Sequence, residues 1–390
     1  MPDCSCCGGA SFKPFFEFGL LPRTGFYLTD GNPSDVPKAQ LNLEYCTTCG
    51  FIRQVHDAMT KIDYAEVERG TAQQLPHYTD DIIQSIVDEG LSPHDLIIEV
   101  GCNDGSFLKA LRAKGFDNLA GVEPSVSLSQ SAGANGFRVE AFPLTPINAK
   151  LIVDKYGLAD AVVCRHTLEH VPVPEDLITA IAKLLKPNGI CVIEVPDTDW
   201  IITQLFVHEI WDEHVSYFRP SSLNLLMQRH GLEASKLSTI RFRDTQNLVC
   251  FARNGGEAAS ANIGQDQSTL ADIADCSTRW AAMVDKLQTA IAKAPRPIVA
   301  IGASHIQINF LNFAGLADQV DWMIDDDPRK SGRRAPIGAG VSILSTAEAI
   351  ENISSGTVLK TAFPYPAWMD KITKAMALKG VITIDPFDLG

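Results

Sequence analysis

The chain has 390 residues, 45% hydrophobic and 21% charged, with a formal net charge of −14. That length exceeds what one core usually serves, so two or three domains are expected. The acidic balance argues against a general nucleic-acid role, which needs a basic surface to release counterions, yet leaves room for an anionic acceptor in a local basic pocket. No apolar run approaches the roughly 20 residues of a membrane span. The opening MPDCSCCGGA has no basic region followed by an apolar stretch, so a cytoplasmic protein without a membrane partner is expected.

Ten cysteines in such a chain point to metal binding or burial before disulfides. Cys4 and Cys7, then Cys46 and Cys49, form two C-x-x-C pairs. Each resembles a knuckle that aims two thiolates at one point, and together they supply the four ligands of a tetrahedral zinc site. Four thiolates leave no open position for a reacting water, so this zinc is expected to be structural. Cys6 is an extra thiol. Cys102, Cys164, Cys191 and Cys250 lie in apolar strand-like surroundings and read as core residues.

Residues 61–95 read as a helical lead-in, with His77 and Tyr78 placed to close a pocket from above. Leu96–Val100 is then a continuous apolar strand. It runs into Gly101-Cys102-Asn103-Asp104-Gly105 and a segment of helical spacing from Ser106. Strand, glycine-rich turn and helix open a doubly wound α/β sheet. Gly101 and Gly105 let the backbone approach a ligand. A second strand, Leu119–Val122, ends at Glu123, roughly 20 residues beyond the turn, where a carboxylate accepts hydrogen bonds from ribose hydroxyls.

The turn lacks G-x-G-x-x-G, which argues against a dinucleotide site. Glu99-x-Gly101-x-Asn103-x-Gly105 instead resembles the first motif of class I S-adenosylmethionine (SAM) methyltransferases. Arg165-His166-Thr167-Leu168-Glu169-His170-Val171 resembles the segment of that fold beside the bound cofactor. Leu184-Leu185-Lys186-Pro187-Asn188-Gly189 resembles its turn before the next strand. The expected cofactor residues are Glu99, Gly101, Asn103, Gly105 and Glu123, with Arg165 and His166 nearby. His166 and His170, four apart on a helix, have the spacing of a metal pair, but no third ligand is spaced to join them.

After the strand at Ile190–Val195 comes Trp211-Asp212-Glu213-His214. Histidine titrates near neutrality, so His214 is the expected general base, with Glu213 orienting it or contacting a substrate hydroxyl. The alternative is that both residues only fix the loop. Farther on, residues 255–290 read as a linker and a connecting helix through Trp280 and Met283. Ile298–Ser304 opens a second α/β domain with a single glycine in its turn, so a substrate-binding or packing role fits it better than a second nucleotide cofactor.

The paired knuckles, EVGCNDGSFL, GVEPS, RHTLEHV, IEVPD and EHVSYF together resemble the deoxysugar C-methyltransferases. The resemblance implies a zinc module, a SAM-binding domain and a C-terminal Rossmann-like domain. It further implies a base, at His214, that removes the proton beside the ketone of a nucleotide-linked 4-keto sugar. Several positions depart from that family. Trp211-Asp212 stand where tyrosine-histidine is usual, and paired tyrosines are missing near residues 64–72. Asp244-Thr245-Gln246-Asn247 replaces a glycine-serine stretch, and His305 and Gln307 lie where a lysine is common. All of these changes fall on the substrate side. The expected division is therefore a zinc module at 1–60, a methyltransferase domain at 61–255 and a Rossmann-like domain at 256–390. A small-molecule acceptor is expected, with a nucleotide-linked keto sugar first. O- or N-methylation of another acceptor, or SAM binding without catalysis, are the competing readings.

Overall fold

The structure, a computed structural model, describes residues 3–24, 26–28, 36–55, 75–242, 245–255, 267–363 and 365–389. The tyrosine-poor stretch at 64–72, most of the linker after Gly255 and Asp244 lie outside those residues. The chain divides into two units. The first takes in Met1–Lys13, Tyr45–Asp199 and Glu213–Thr269; the second takes in Pro14–Glu44, Trp200–Asp212 and Leu270–Gly390.

The first unit is built on seven strands: β1 (Ile97–Val100), β2 (Leu119–Val122), β3 (Arg138–Glu140), β4 (Ala159–Arg165), β5 (Leu185–Pro196), β6 (Leu232–Phe242) and β7 (Thr245–Asn254). Their order is β3-β2-β1-β4-β5-β7-β6. Neighbours from β3 through β5 are parallel, and β7 is antiparallel to both β5 and β6. All four residues of β1 and of β2 are buried, as strands covered on both faces must be. Helices α1 (Thr79–Asp88), α2 (Ser106–Ala113), α3 (Val126–Ala134), α4 (Ala149–Tyr156), α5 (Pro174–Leu184) and α6 (Pro220–Arg229) accompany the sheet. Parallel strands with the order reversing between β1 and β4 put a crevice at the C-terminal ends of those strands, where such sheets bind ligands. The two cysteine knuckles pack on the same core: Cys4, Cys6 and Cys46 share a buried cluster with Ile98, Ile181 and Leu226.

The second unit holds a six-stranded sheet, β8 (Ile298–Ile301), β9 (Trp322–Ile324), β10 (Arg334–Ala335), β11 (Val341–Leu344), β12 (Thr357–Leu359) and β13 (Ile382–Ile384), in the order β10-β11-β9-β8-β12-β13. Only β10 runs antiparallel. A helix at His305–Phe313 follows β8 through Gly302, whose φ of 92° places it in the left-handed region. A Cβ there would stand 2.9 Å from the Gln307 side chain. This is the expected Rossmann-like α/β arrangement. The connecting helix runs from Gln267 to Lys293 and buries Ile273, Cys276, Trp280, Leu287 and Ile291, a stripe at helical spacing. Among the described residues no helix is long and apolar enough to cross a membrane.

Candidate functional site

A cavity of about 590 Å³ opens at the C-terminal ends of β1, β2 and β4. Its walls include Gly101, Asn103, Glu123, Arg165 and His166, with Phe107, Leu128 and Leu144 supplying apolar surface. The loop after β1 can line it closely because Gly101 and Gly105 have φ of 76° and 81°. Ideal Cβ atoms there would lie 2.1 Å from the Thr167 hydroxyl and 2.9 Å from the Phe137 ring. Asn103 takes the left-handed region too, at φ 51°, one of the few side chains that does so readily. Its amide oxygen accepts the Asp104 N–H at 2.7 Å.

Glu123 closes that loop onto β2. One carboxylate oxygen accepts the Asn103 N–H and the other the Ser125 N–H, both at 2.9 Å. Each oxygen keeps a lone pair for a further donor. Glu99, deeper in the wall, has an oxygen that accepts no hydrogen bond among the described residues. Burial pushes its carboxyl up to about 8, with Arg165 opposing. A buried carboxylate oxygen in want of a donor, beside a second carboxylate suited to paired hydroxyls, fits an aminoacyl nucleoside such as SAM.

Arg165 and His166 are held by Glu194 on β5. The Arg165 Nε donates to it at 2.6 Å, and His166 Nε2 lies 3.1 Å from its other oxygen. Asn247 Nδ2 donates both to that oxygen and to the Tyr78 hydroxyl, each at 3.0 Å. Burial opposes the ionised form of Glu194, but the His166 and Arg165 charges hold it well below the usual carboxylate range. Burial also opposes the charged form of His166, yet Glu194 and Glu169, the latter 3.5 Å from Nδ1, push it up to about 10.

Beyond His166 the chain forms a single 3-10 turn, Leu168–His170. His166 itself has φ 47°, so it does not sit one helical turn before His170. The expected helical pair is therefore not formed. His170 instead packs edge-on against His214, ring centroids 4.7 Å apart. Two contacts bring them together: the Val215 N–H donates to the Glu169 carbonyl at 2.8 Å, and the Glu213 carbonyl accepts from His170 Nδ1 at 2.9 Å. His170 also lines the cavity. The segment carrying His214 is further held where Ile52 and Arg53 pair antiparallel with Tyr217 and Ser216.

The knuckles converge as well. Cys4 Sγ lies 3.6 Å from Cys49 Sγ, and Cys7 Sγ lies 3.5 Å from Cys46 Sγ. The ligand atoms of all four cysteines lie within 4.8 Å of one another. Zinc–sulfur bonds of about 2.3 Å imply edges of about 3.8 Å, so the set fits a zinc ion. The Gly9 and Thr48 N–H groups donate to Cys7 and Cys46 sulfurs, as thiolates favour. Cys6 is fully buried and stands outside the set of four.

Residues 71–237 match the family described as a methyltransferase domain. The match takes in the residues that form the cavity. Over 244 residues the chain is 26% identical to the C-methyltransferase NovU of Streptomyces niveus, covering 61% of this chain and 57% of that protein. Over 97 residues it is 33% identical to a ubiquinone biosynthesis O-methyltransferase of Bordetella avium, covering 24% of this chain and 39% of that one. The chain thus spans less than two thirds of the length of either relative. Among solved structures it is similar to the magnesium protoporphyrin IX methyltransferase ChlM of Synechocystis with bound SAM. The TM-score is 0.36, with 16% identity over 45% of this chain and 78% of that one.

Glu99, Gly101, Asn103, Glu123, Arg165 and His166 line this cavity, whose walls also take in Asp104. Gly105, also expected there, is not on its wall; it ends the loop, and its carbonyl accepts the Lys109 N–H at 2.9 Å. Tyr78 does not close the cavity from above as expected. Its hydroxyl is engaged by Asn247, and His77 packs near Phe242, while Leu75 and Pro76 line the wall. Asn247 and Glu194 went unread as site residues. The signal was present in Glu194, an acid between Ile193 and Val195 in the buried, otherwise apolar run 190–195, which must have partners.

The departing positions Trp211 and Asp212 belong to the second unit. There the Trp211 indole N–H donates to the Thr24 hydroxyl at 2.7 Å and its ring stacks on His305, centroids 4.9 Å apart. Asp212 pairs with Arg23 at 2.8 Å. Gln307 caps its own helix through Ser304 and donates to the Thr361 carbonyl at 3.2 Å.

Proposed function

We propose that this protein is a SAM-dependent C-methyltransferase acting on a carbon next to a ketone, with a nucleotide-linked keto sugar as acceptor. The observation that carries the reading is the pairing of His170 and His214 at the edge of the cofactor cavity, with the His170 ring held by the Glu213 carbonyl and the two segments joined by the Val215 N–H. SAM, when bound, supplies an electrophilic methyl group. Glu123 would receive its ribose hydroxyls, and Glu99 its ammonium group.

An imidazole nitrogen of His214 would take the proton from the carbon beside the ketone, and the electron pair left there would form the new carbon–methyl bond as the methyl–sulfur bond breaks, its pair staying on the sulfur of the departing thioether. A carbon acid needs such a base far more than an alcohol or amine does. His170, its Nδ1 committed to the Glu213 carbonyl, holds the His214 ring in place. Glu213 contributes through that carbonyl. A structural zinc at Cys4, Cys7, Cys46 and Cys49 would fix the strand at 52–54, and so the segment that presents His214.

O-methylation is the second reading, favoured by the ubiquinone O-methyltransferase relatives. Incubation in heavy water separates the two. A C-methylating enzyme exchanges the acidic proton of a nucleotide-linked 4-keto sugar for deuterium, and His214→Gln abolishes the exchange. Methyl gain without exchange, unaffected by His214→Gln, would favour the second reading.

A further inference from the structure

The side chains that converge beside the cofactor cavity include one the reaction leaves unused. Glu169 is 1% exposed, and neither of its carboxylate oxygens accepts a hydrogen bond among the described residues. Leaving such a group buried without a donor costs several kcal/mol unless a cation answers it. His166 forms an ion pair with one oxygen at 3.5 Å, which answers part of its charge but leaves both oxygens without a hydrogen-bond donor among the described residues.

One ligand atom each from Glu169, His170 and His214 lies within 4.8 Å of the other two. His170 donates its Nδ1 proton to the Glu213 carbonyl, which leaves Nε2 as the lone-pair nitrogen. That is the arrangement by which proteins orient an imidazole toward a metal. The Val215 N–H on the Glu169 carbonyl keeps the two segments in register, so the three groups meet without being adjacent in sequence. Two imidazoles and one carboxylate favour zinc, cobalt or nickel over magnesium or calcium, which prefer all-oxygen sets.

We propose that Glu169, His170 and His214 form a second metal site, which binds one divalent transition-metal ion independently of the four cysteines. The site deepens the functional reading above, on which its consequence rests. A His214 nitrogen bonded to the ion has no lone pair for a proton, so an occupied site stops proton removal. The protein would be active with its cysteines loaded and inhibited when the second ion enters.

The test is a cobalt titration of the full-length protein, with neither SAM nor acceptor present. Bound cobalt is counted by elemental analysis, and each ion is identified by absorption. The expected result is two ions per chain in the wild type, one with thiolate charge-transfer absorption and one without it. Glu169→Gln and His170→Ala should each drop the count to one and keep the thiolate band, which also shows that the variants are folded. Excess magnesium should displace neither ion. One ion per chain in the wild type, or two in both variants, overturns the site. If the second ion binds as described but proton exchange on a keto sugar continues unchanged, the site stands and the assignment of His214 as base fails.

Discussion

Replacing Glu194 by glutamine removes a charge that Arg165, His166 and Asn247 all contact. The carboxylate is fully buried and the Arg165 side chain is 7% exposed, 2.6 Å away. Removing one partner of a buried pair costs about 3–5 kcal/mol, because the other charge is left without compensation. Two groups respond: His166 loses the carboxylate that pushes it up, and Glu99 meets the freed guanidinium. Glu99, protonated in the wild type below about 8, is the remaining acid whose titration Arg165 lowers. Without Glu194 the freed guanidinium draws Glu99 into its ionised form at lower pH. Across that window the folded variant holds fewer protons than the folded wild type, so the deficit shrinks as pH rises. Each proton of difference held across two pH units, at 1.36 kcal/mol per unit, is worth at most about 2.7 kcal/mol of recovery between pH 6 and pH 8. Urea unfolding followed by circular dichroism reads both effects. At pH 6 the midpoint of the Glu194→Gln variant should fall by about 1–2 M. A fall below about 0.4 M, or an equal deficit at pH 6 and pH 8, would refute the coupling of these three side chains.

Glu123→Ala removes the acceptor that ties Asn103 and Ser125 and faces the ribose position; SAM affinity measured by calorimetry should weaken by about 10- to 100-fold, worth about 1.4–2.8 kcal/mol, and an unchanged affinity would overturn that assignment. His208 is fully buried with both ring nitrogens unpartnered among the described residues, and burial lowers it to about 3, helped by His305. The unfolded chain binds its proton near 6.5 and the folded chain only near 3. Stability should therefore fall by about 2 kcal/mol from this residue as pH drops from 6.5 to 5, and His208→Phe should flatten that slope in urea titrations. Cys46→Ser should lose the thiolate-bound ion and, because the strand at 52–54 then loses its anchor, lower the rate of methyl transfer more than SAM affinity; equal activity with no metal on the cysteines would contradict a structural zinc.

The cofactor side was legible because its chemistry is local. A buried strand, two glycines at positive φ and an acid at the end of the next strand lie within 25 residues, from Glu99 to Glu123, and each makes its contribution where the sequence puts it. The knuckles were legible for the same reason. The His170–His214 pair was not, because it depends on the positive φ at His166 and on a hydrogen bond between residues 43 apart, His170 and Glu213. The spacing of His166 and His170 fits a helix, yet His166 has φ 47° and its ring faces Glu194 and Glu169 instead. Trp211 and Asp212 illustrate another limit. Read beside Glu213 and His214 they belong to one motif, yet their side chains are committed to Thr24, His305 and Arg23 of the other unit.

The most direct test of the central claim is a mass-spectrometric assay of methyl transfer from SAM, run on wild type and His214→Gln with a panel of nucleotide-linked 4-keto sugars in heavy water. The wild type should gain one methyl and exchange one proton site, with both lost in the variant while SAM still binds. A methyl gained at an oxygen or nitrogen, with no deuterium entering carbon and no effect of the His214 substitution, would contradict it.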